Sequence, residues 1–185
     1  MVAKTLVRYG IIFLVFIVQI LFLTTILREN THSYLLLIFI ATLAILTLYT
    51  YLRSPIHHTE YSYESLKVAA WVPVGAVASY YLHHSLQMGP VMGAALVGSI
   101  GSFLPDINSN STYLKKLPAA IYCGAFVGMS SAHVANGFTF VLVAGFFTAV
   151  FLIVSKSVLH GVGGKLGTLA FLGVALTYLL VFLLG

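Results

Sequence analysis

Histidine has the widest chemical scope in this chain. Seven are present, at His32, His57, His58, His83, His84, His133 and His160. An imidazole changes charge near pH 6.5 and is the commonest metal ligand among side chains. His83 and His84 are adjacent, and His133 follows Ser130-Ser131 at 49 residues from His84. No HxxxH or HExxH spacing sets two imidazoles on one helical face, so the sequence specifies no metal site. The chemistry left to these residues is proton sensing or gating, against the plainer alternative of interfacial imidazoles that meet headgroups and water. The acids are Glu29, Glu60, Glu64 and Asp106. Asp106-x-Asn108-x-Asn110 imitates the opening of a calcium loop, but Ser111 and Leu117 stand where a glycine and a glutamate are required. Asp106 is the acid nearest a span and joins the candidate path residues, although ending a helix is its simplest role. Cys123 is the only cysteine, and no GxSxG motif or carboxylate pair within one span is present. The expectation is a protein that is not an enzyme and carries no cofactor.

The elements that hold these residues are set by composition. Of 185 residues, 60% are hydrophobic and 7% charged, with a mean hydropathy of +1.03. A soluble domain carries about 25% charged residues, so this chain cannot clothe a water-facing surface, and it is too apolar for disorder. The fold class predicted is all-α: a polytopic integral membrane protein with seven transmembrane helices. The spans fall at about 9–27, 34–52, 66–82, 88–105, 117–134, 137–154 and 166–184. Each approaches the ~20 apolar residues that cross a bilayer. They are too long and too evenly apolar for barrel strands. The seventh has no internal lysine, which excludes a rhodopsin-like Schiff base.

Charge gives these spans a direction. With the N-terminus inside, Lys4, Arg8, Arg53, Lys67, Lys115, Lys116, Lys156 and Lys165 fall on the cytoplasmic side and Arg28 outside, the bias expected when cations resist translocation. The chain is therefore expected in a cell (inner) membrane, with the N-terminus cytoplasmic and the C-terminus outside. The run from Tyr9 to Leu27 reads as a retained first helix that serves as its own insertion signal. The pI near 9.4 serves orientation. No basic run with interleaved aromatics suggests nucleic acid.

Glycine divides the chain. Residues 1–74 hold only Gly10, and the remaining fifteen follow. Close helix packing in lipid depends on small residues. Two peripheral helices (1–60) and a five-helix glycine-rich core (61–185) are expected, with Gly75, Gly93, Gly124, Gly128 and Gly173 as packing positions. Gly124-Ala-Phe-Val-Gly128 is a GxxxG, read as intramolecular packing ahead of an inter-subunit seam. Lys67, Lys116 and Lys165 recur every 49 residues, each with a glycine eight positions on. This suggests a parallel repeat of a helical hairpin that would bring Gly75, Gly124 and Gly173 to one depth. The run from Gly161 to Thr168 reads as a flexible turn, with an anion cradle around Lys165 as the alternative.

Two fragments, Arg28-x-x-Thr31-His32-Ser33 and Leu104-Pro105-Asp106-Ile107, resemble pieces of the membrane-bound metal-dependent hydrolases, where similar segments are thought to supply metal ligands. The resemblance implies a metal site on His32 and Asp106. Their order and separation differ from the family's, and Leu27 stands where a histidine is expected. The charge bias also sets the two residues on opposite faces, ~30 Å apart. The leading expectation is a small channel or transporter for an ion or small solute. It would be homo-oligomeric and lined by Ser79, Ser99, Ser102, Ser130, Ser131 and Thr148, with His83, His84 and His133 modulating entry by pH. The alternative is a membrane anchor or sensor subunit that docks a protein partner through 54–60 and 106–116.

Overall fold

The computed structural model describes residues 63–157 and 164–184, together with Phe13, Ile17, Ile20, Ile38, Phe39, Thr42, Ile45, Leu46 and Tyr49. The chain divides into two units, residues 1–61 with 157–162, and residues 62–156 with 163–185. In the first, the nine scattered described residues are all helical and exposed, and Thr42 Oγ1 donates to the Ile38 carbonyl at 2.7 Å. Gln19, His32, His57, His58, His160, Gly161 and the expected docking segment 54–60 lie outside the described residues.

The second unit is all helical, with no strand among the described residues: α1 (Leu66–Ala69), α2 (Trp71–His84), α3 (Pro90–Ser102), α4 (Leu104–Ile107), α5 (Leu117–Gly128), α6 (Phe138–Val154) and α7 (Lys165–Leu184). The boundaries have local causes. Ser65 caps α1 by accepting the Val68 amide at 3.4 Å. The expected single helix over 66–82 breaks at Ala70, because Pro73 has no N–H for the Ala69 carbonyl and its ring crowds that turn. The expected span 117–134 stops at Gly128. There the Ser130 hydroxyl and amide both bond the Val127 carbonyl (2.7 and 3.1 Å), a local alternative to the next helical turn.

Gly89 (φ +83°, ψ 158°) precedes α3 and Gly137 (φ +108°, ψ −175°) precedes α6. Both occupy a backbone region that is essentially closed to residues with a Cβ. Neither has an atom within 4 Å of where a Cβ would stand, so a substitution there tests backbone strain alone. Gly89→Ala and Gly137→Ala are each expected to cost about 1–3 kcal/mol in reversible unfolding. Gly167→Ala, in open space within α7, should be neutral or stabilise by up to ~1 kcal/mol.

The core is a parallel pair, α2 against α5. A Cβ on Gly124 would run into the Val72 carbonyl; one on Gly128 would lie 2.5 Å from the Ala76 carbonyl oxygen, and one on Gly75 2.5 Å from that of Ile121. Val72/Ala76 and Gly124/Gly128 are four residues apart on facing sides, so the two backbones interlock over a full turn. The GxxxG is thus occupied within the chain. α3 lies antiparallel on this pair, with Gly93 against the Ser79 carbonyl (3.0 Å) and Gly98 against the Tyr122 ring. α6 seats Gly145 on Pro73, and α7 seats Gly173 on Ala144 and Thr148 of α6. Gly75 and Gly124 therefore share one crossing, while Gly173 meets another partner. Val72, Leu117, Val127, Val141, Leu169 and Leu172 fill the interior.

Two described segments, Pro90–Ile107 and Lys165–Leu184, are long and apolar enough to cross a membrane, and α6 is a shorter apolar helix. α5, at 12 residues, is roughly 18 Å long. The exterior is apolar: Val91, Met92, Ile100, Phe103, Phe146, Phe182 and Leu183 are all exposed.

Candidate functional site

The alternating helix directions sort polar side chains to the two ends of the second unit. At one end, His83 and His84 are the last residues of α2, both half-buried. The Tyr80 ring lies 4.8 Å from His84, 6.4 Å from His83 and 5.2 Å, edge-on, from Phe138. The two imidazoles are 5.4 Å apart. Tyr80 donates its hydroxyl to the Ala135 carbonyl at 3.2 Å, tying α2 to the 129–137 turn. His133 and Ser131 are exposed on that turn, and Ser130 is half-buried with its hydroxyl on Val127.

Below the imidazoles, Ser79 is fully buried. The Ser79 Oγ and His83 Nδ1 are buried side-chain atoms without a hydrogen-bond partner, one helical turn apart on α2. Buried polar atoms are nearly always satisfied by protein or by ordered water. An ordered water is the usual partner for such atoms.

The other residues expected to line a path do not join it. Thr148 donates to the Ala144 carbonyl at 2.8 Å, on its own helix. Ser99 and Ser102 are exposed on α3, and Ser102 donates to the Ser99 carbonyl. Helical periodicity turns them away from Ser79, so the six expected lining residues do not form one face. Asp106 is exposed at the opposite end, in the single-turn helix α4, where its amide bonds the Phe103 carbonyl. It shares no site with the histidines.

That opposite end carries the charge. Glu64 forms ion pairs with Lys156 (3.2 Å) and Lys116 (3.6 Å), and its carboxylate also accepts from the Ser65 amide at 3.1 Å. The Glu64 amide donates to the Ile153 carbonyl at the end of α6. Lys165, the first residue of α7, turns its ammonium onto the Ser155 carbonyl (2.6 Å) and the Lys156 carbonyl (3.5 Å). Nearby, Trp71 Nε1 donates to the Tyr113 hydroxyl (2.8 Å), which donates to the Lys67 carbonyl. Among the described residues, no group of three or more His, Cys, Asp or Glu is placed to hold a metal ion.

Glu64 is the functional-looking residue that sequence reasoning passed over. Its one signal was its place just before a capping serine and a lysine-bearing first turn. Burial raises its carboxyl pKa, but the Ser65 amide and the Lys156 and Lys116 ammonium groups outweigh burial and hold it below the ordinary carboxylate value. A depressed folded pKa adds stability above the unfolded pKa, and that stability is lost as pH falls through the folded value. Acid unfolding should therefore steepen below about pH 4, and Glu64→Gln should flatten that limb in thermal scans from pH 7 to pH 3.

The second unit is an all-helical bundle whose described residues have an apolar exterior and segregated polar ends. No protein-family model, curated protein or solved structure matches this chain.

Proposed function

We propose that this chain is a seven-span protein of a cell (inner) membrane, N-terminal side cytoplasmic, which passes a small solute or ion as a homo-oligomer. The observation that carries the membrane part is the sorting of side chains. All five described lysines and both described acids stand at one end of the second unit, and His83, His84 and His133 at the other. Between them the exterior is apolar. Trp71, Tyr113 and Tyr63 at the charged end, and Tyr81 at the other, suit the two interfaces of a bilayer. The recurring order, α2–α3 and α5–α6 with a positive-φ glycine before each returning helix, supports the hairpin repeat. The unpartnered Ser79 Oγ and His83 Nδ1 support a wet vestibule that opens at the histidine end. Among the described residues the close-packed glycine core offers no polar continuation from it, so the path is expected to continue at a seam with another protomer.

The test has two arms. In a Cys123→Ser background, Lys115→Cys should label from the cytoplasmic side and His133→Cys from the outside; labelling of both from one side overturns the topology. In liposomes, Ser79→Ala and His83→Ala should reduce flux of small polar solutes at least tenfold. Unchanged flux in both variants removes the vestibule.

A further inference from the structure

We propose that the Lys116–Lys156–Lys165 cluster is a binding site for a phosphate-bearing anion, with Glu64 as the internal group that occupies it in part. This goes beyond the conduit reading and does not depend on it.

The charge balance points there first. Three ammonium groups gather at the junction of α5, α6 and α7, and Glu64 alone among the described acids pairs with them. Two positive charges are left over, and they are only partly in water: the Lys116 side chain is 47% exposed, that of Lys156 30% and that of Glu64 14%. An uncompensated charge taken out of water is unfavourable unless paired. Asp106, the other described acid at this end, is exposed on its own turn and makes no ion pair with the described lysines.

Donor capacity points there next. Each ammonium has three N–H donors. Lys116 makes one contact with Glu64, Lys156 uses Glu64 and the Tyr63 carbonyl, and Lys165 uses two carbonyls. Hydrogens remain on all three. Ser155, the residue whose carbonyl holds Lys165, is fully buried, and its hydroxyl has no partner. A donor without an acceptor therefore stands beside cations without enough anions. Lys165 also opens α7, and the positive end of that helix adds to the field. A tetrahedral phosphate offers several acceptor oxygens and up to two charges, the complement of this set; an uncharged ligand would leave the excess charge unanswered.

The phosphate has two possible sources, an anionic lipid headgroup or free phosphate. The full chain in detergent is titrated with inorganic phosphate, read by the shift in thermal unfolding midpoint, and separately with phosphatidylglycerol or phosphatidylcholine, read by lipid retention in native mass spectrometry. Binding in the phosphatidylglycerol arm alone names the headgroup, and binding in the phosphate arm names the free ion; either supports the proposal. The double variant Lys116→Gln/Lys156→Gln should weaken binding at least tenfold. Lys67→Gln/Lys115→Gln, which removes equal charge from exposed positions at the same end, should change it less than twofold. Glu64→Gln, which removes the competing carboxylate, should tighten it severalfold and keeps the test open if the double variant does not fold. Equal losses in the two double variants, no response to Glu64→Gln, or no binding in either arm overturns the site.

Discussion

Gly124→Ala is expected to destabilise the protein by about 3 kcal/mol or more, at the upper end of overpacking substitutions. The added methyl meets a main-chain carbonyl, Val72 O, with the Ala76 amide next in line. A side chain can rotate away from such a collision, but two helical backbones must separate. Separation here would undo the α2–α5 crossing on which α3 and α6 also rest. Native stability is only about 5–15 kcal/mol, so this single methyl removes a large part of it. The effect should be graded. Gly128→Ala meets the Ala76 carbonyl oxygen at 2.5 Å and should follow closely, whereas Gly101→Ala meets the Ile121 Cγ2 methyl at 3.0 Å, which can give, and should cost about 1 kcal/mol. Unfolding midpoints in detergent for the three variants, with Gly167→Ala as the silent control, check the order. Equal midpoints would show that the α2–α5 contact does not set stability.

Glu64→Ala is expected to cost about 1–3 kcal/mol at neutral pH, and less as salt rises. Removing one member of a fully buried pair costs about 3–5 kcal/mol. The Lys116 side chain is 47% exposed and the Lys156 side chain 30%, so solvent screens much of the penalty and the lower range applies. The loss should exceed that of an ordinary surface pair because three positive groups are left facing one another and the Ser65 amide loses its acceptor. Raising ionic strength from about 0.05 to about 0.5 M should narrow the difference between wild type and variant, since the shorter Debye length screens these partly exposed charges. A difference that persists unchanged would mean that Glu64 acts through its hydrogen bond to the Ser65 amide and not through the lysines.

Composition made the helical class legible, and helix positions followed from apolar runs: the expected starts at 88, 117, 137 and 166 lie within two residues of α3, α5, α6 and α7. The gathering of lysines at one end was also readable, because alternating helices return every second end to the same side. The break at Ala70 and the early stop at Gly128 were missed, since each depends on which local hydrogen bond wins, and a hydropathy profile does not register that competition. The sequence marks the histidines and serines as chemistry-bearing types, yet it does not show how they group. Ser79 lies with His83, while Ser99, Ser102 and Thr148 point elsewhere, and that difference is one of helical phase and packing.

Sequence alone determined that this chain makes apolar helices, that successive ones reverse direction, and that its glycines are concentrated after residue 74. Those are properties of a residue and its near neighbours, and period and composition carry them. Only the tertiary structure decided that Gly124 and Gly128 seat on Val72 and Ala76, that Glu64 meets lysines 52 and 92 positions away, and that Ser79 and His83 share a buried face without partners. Contacts between distant segments depend on how whole helices rotate and slide to fit, and no local pattern in the chain encodes that angle.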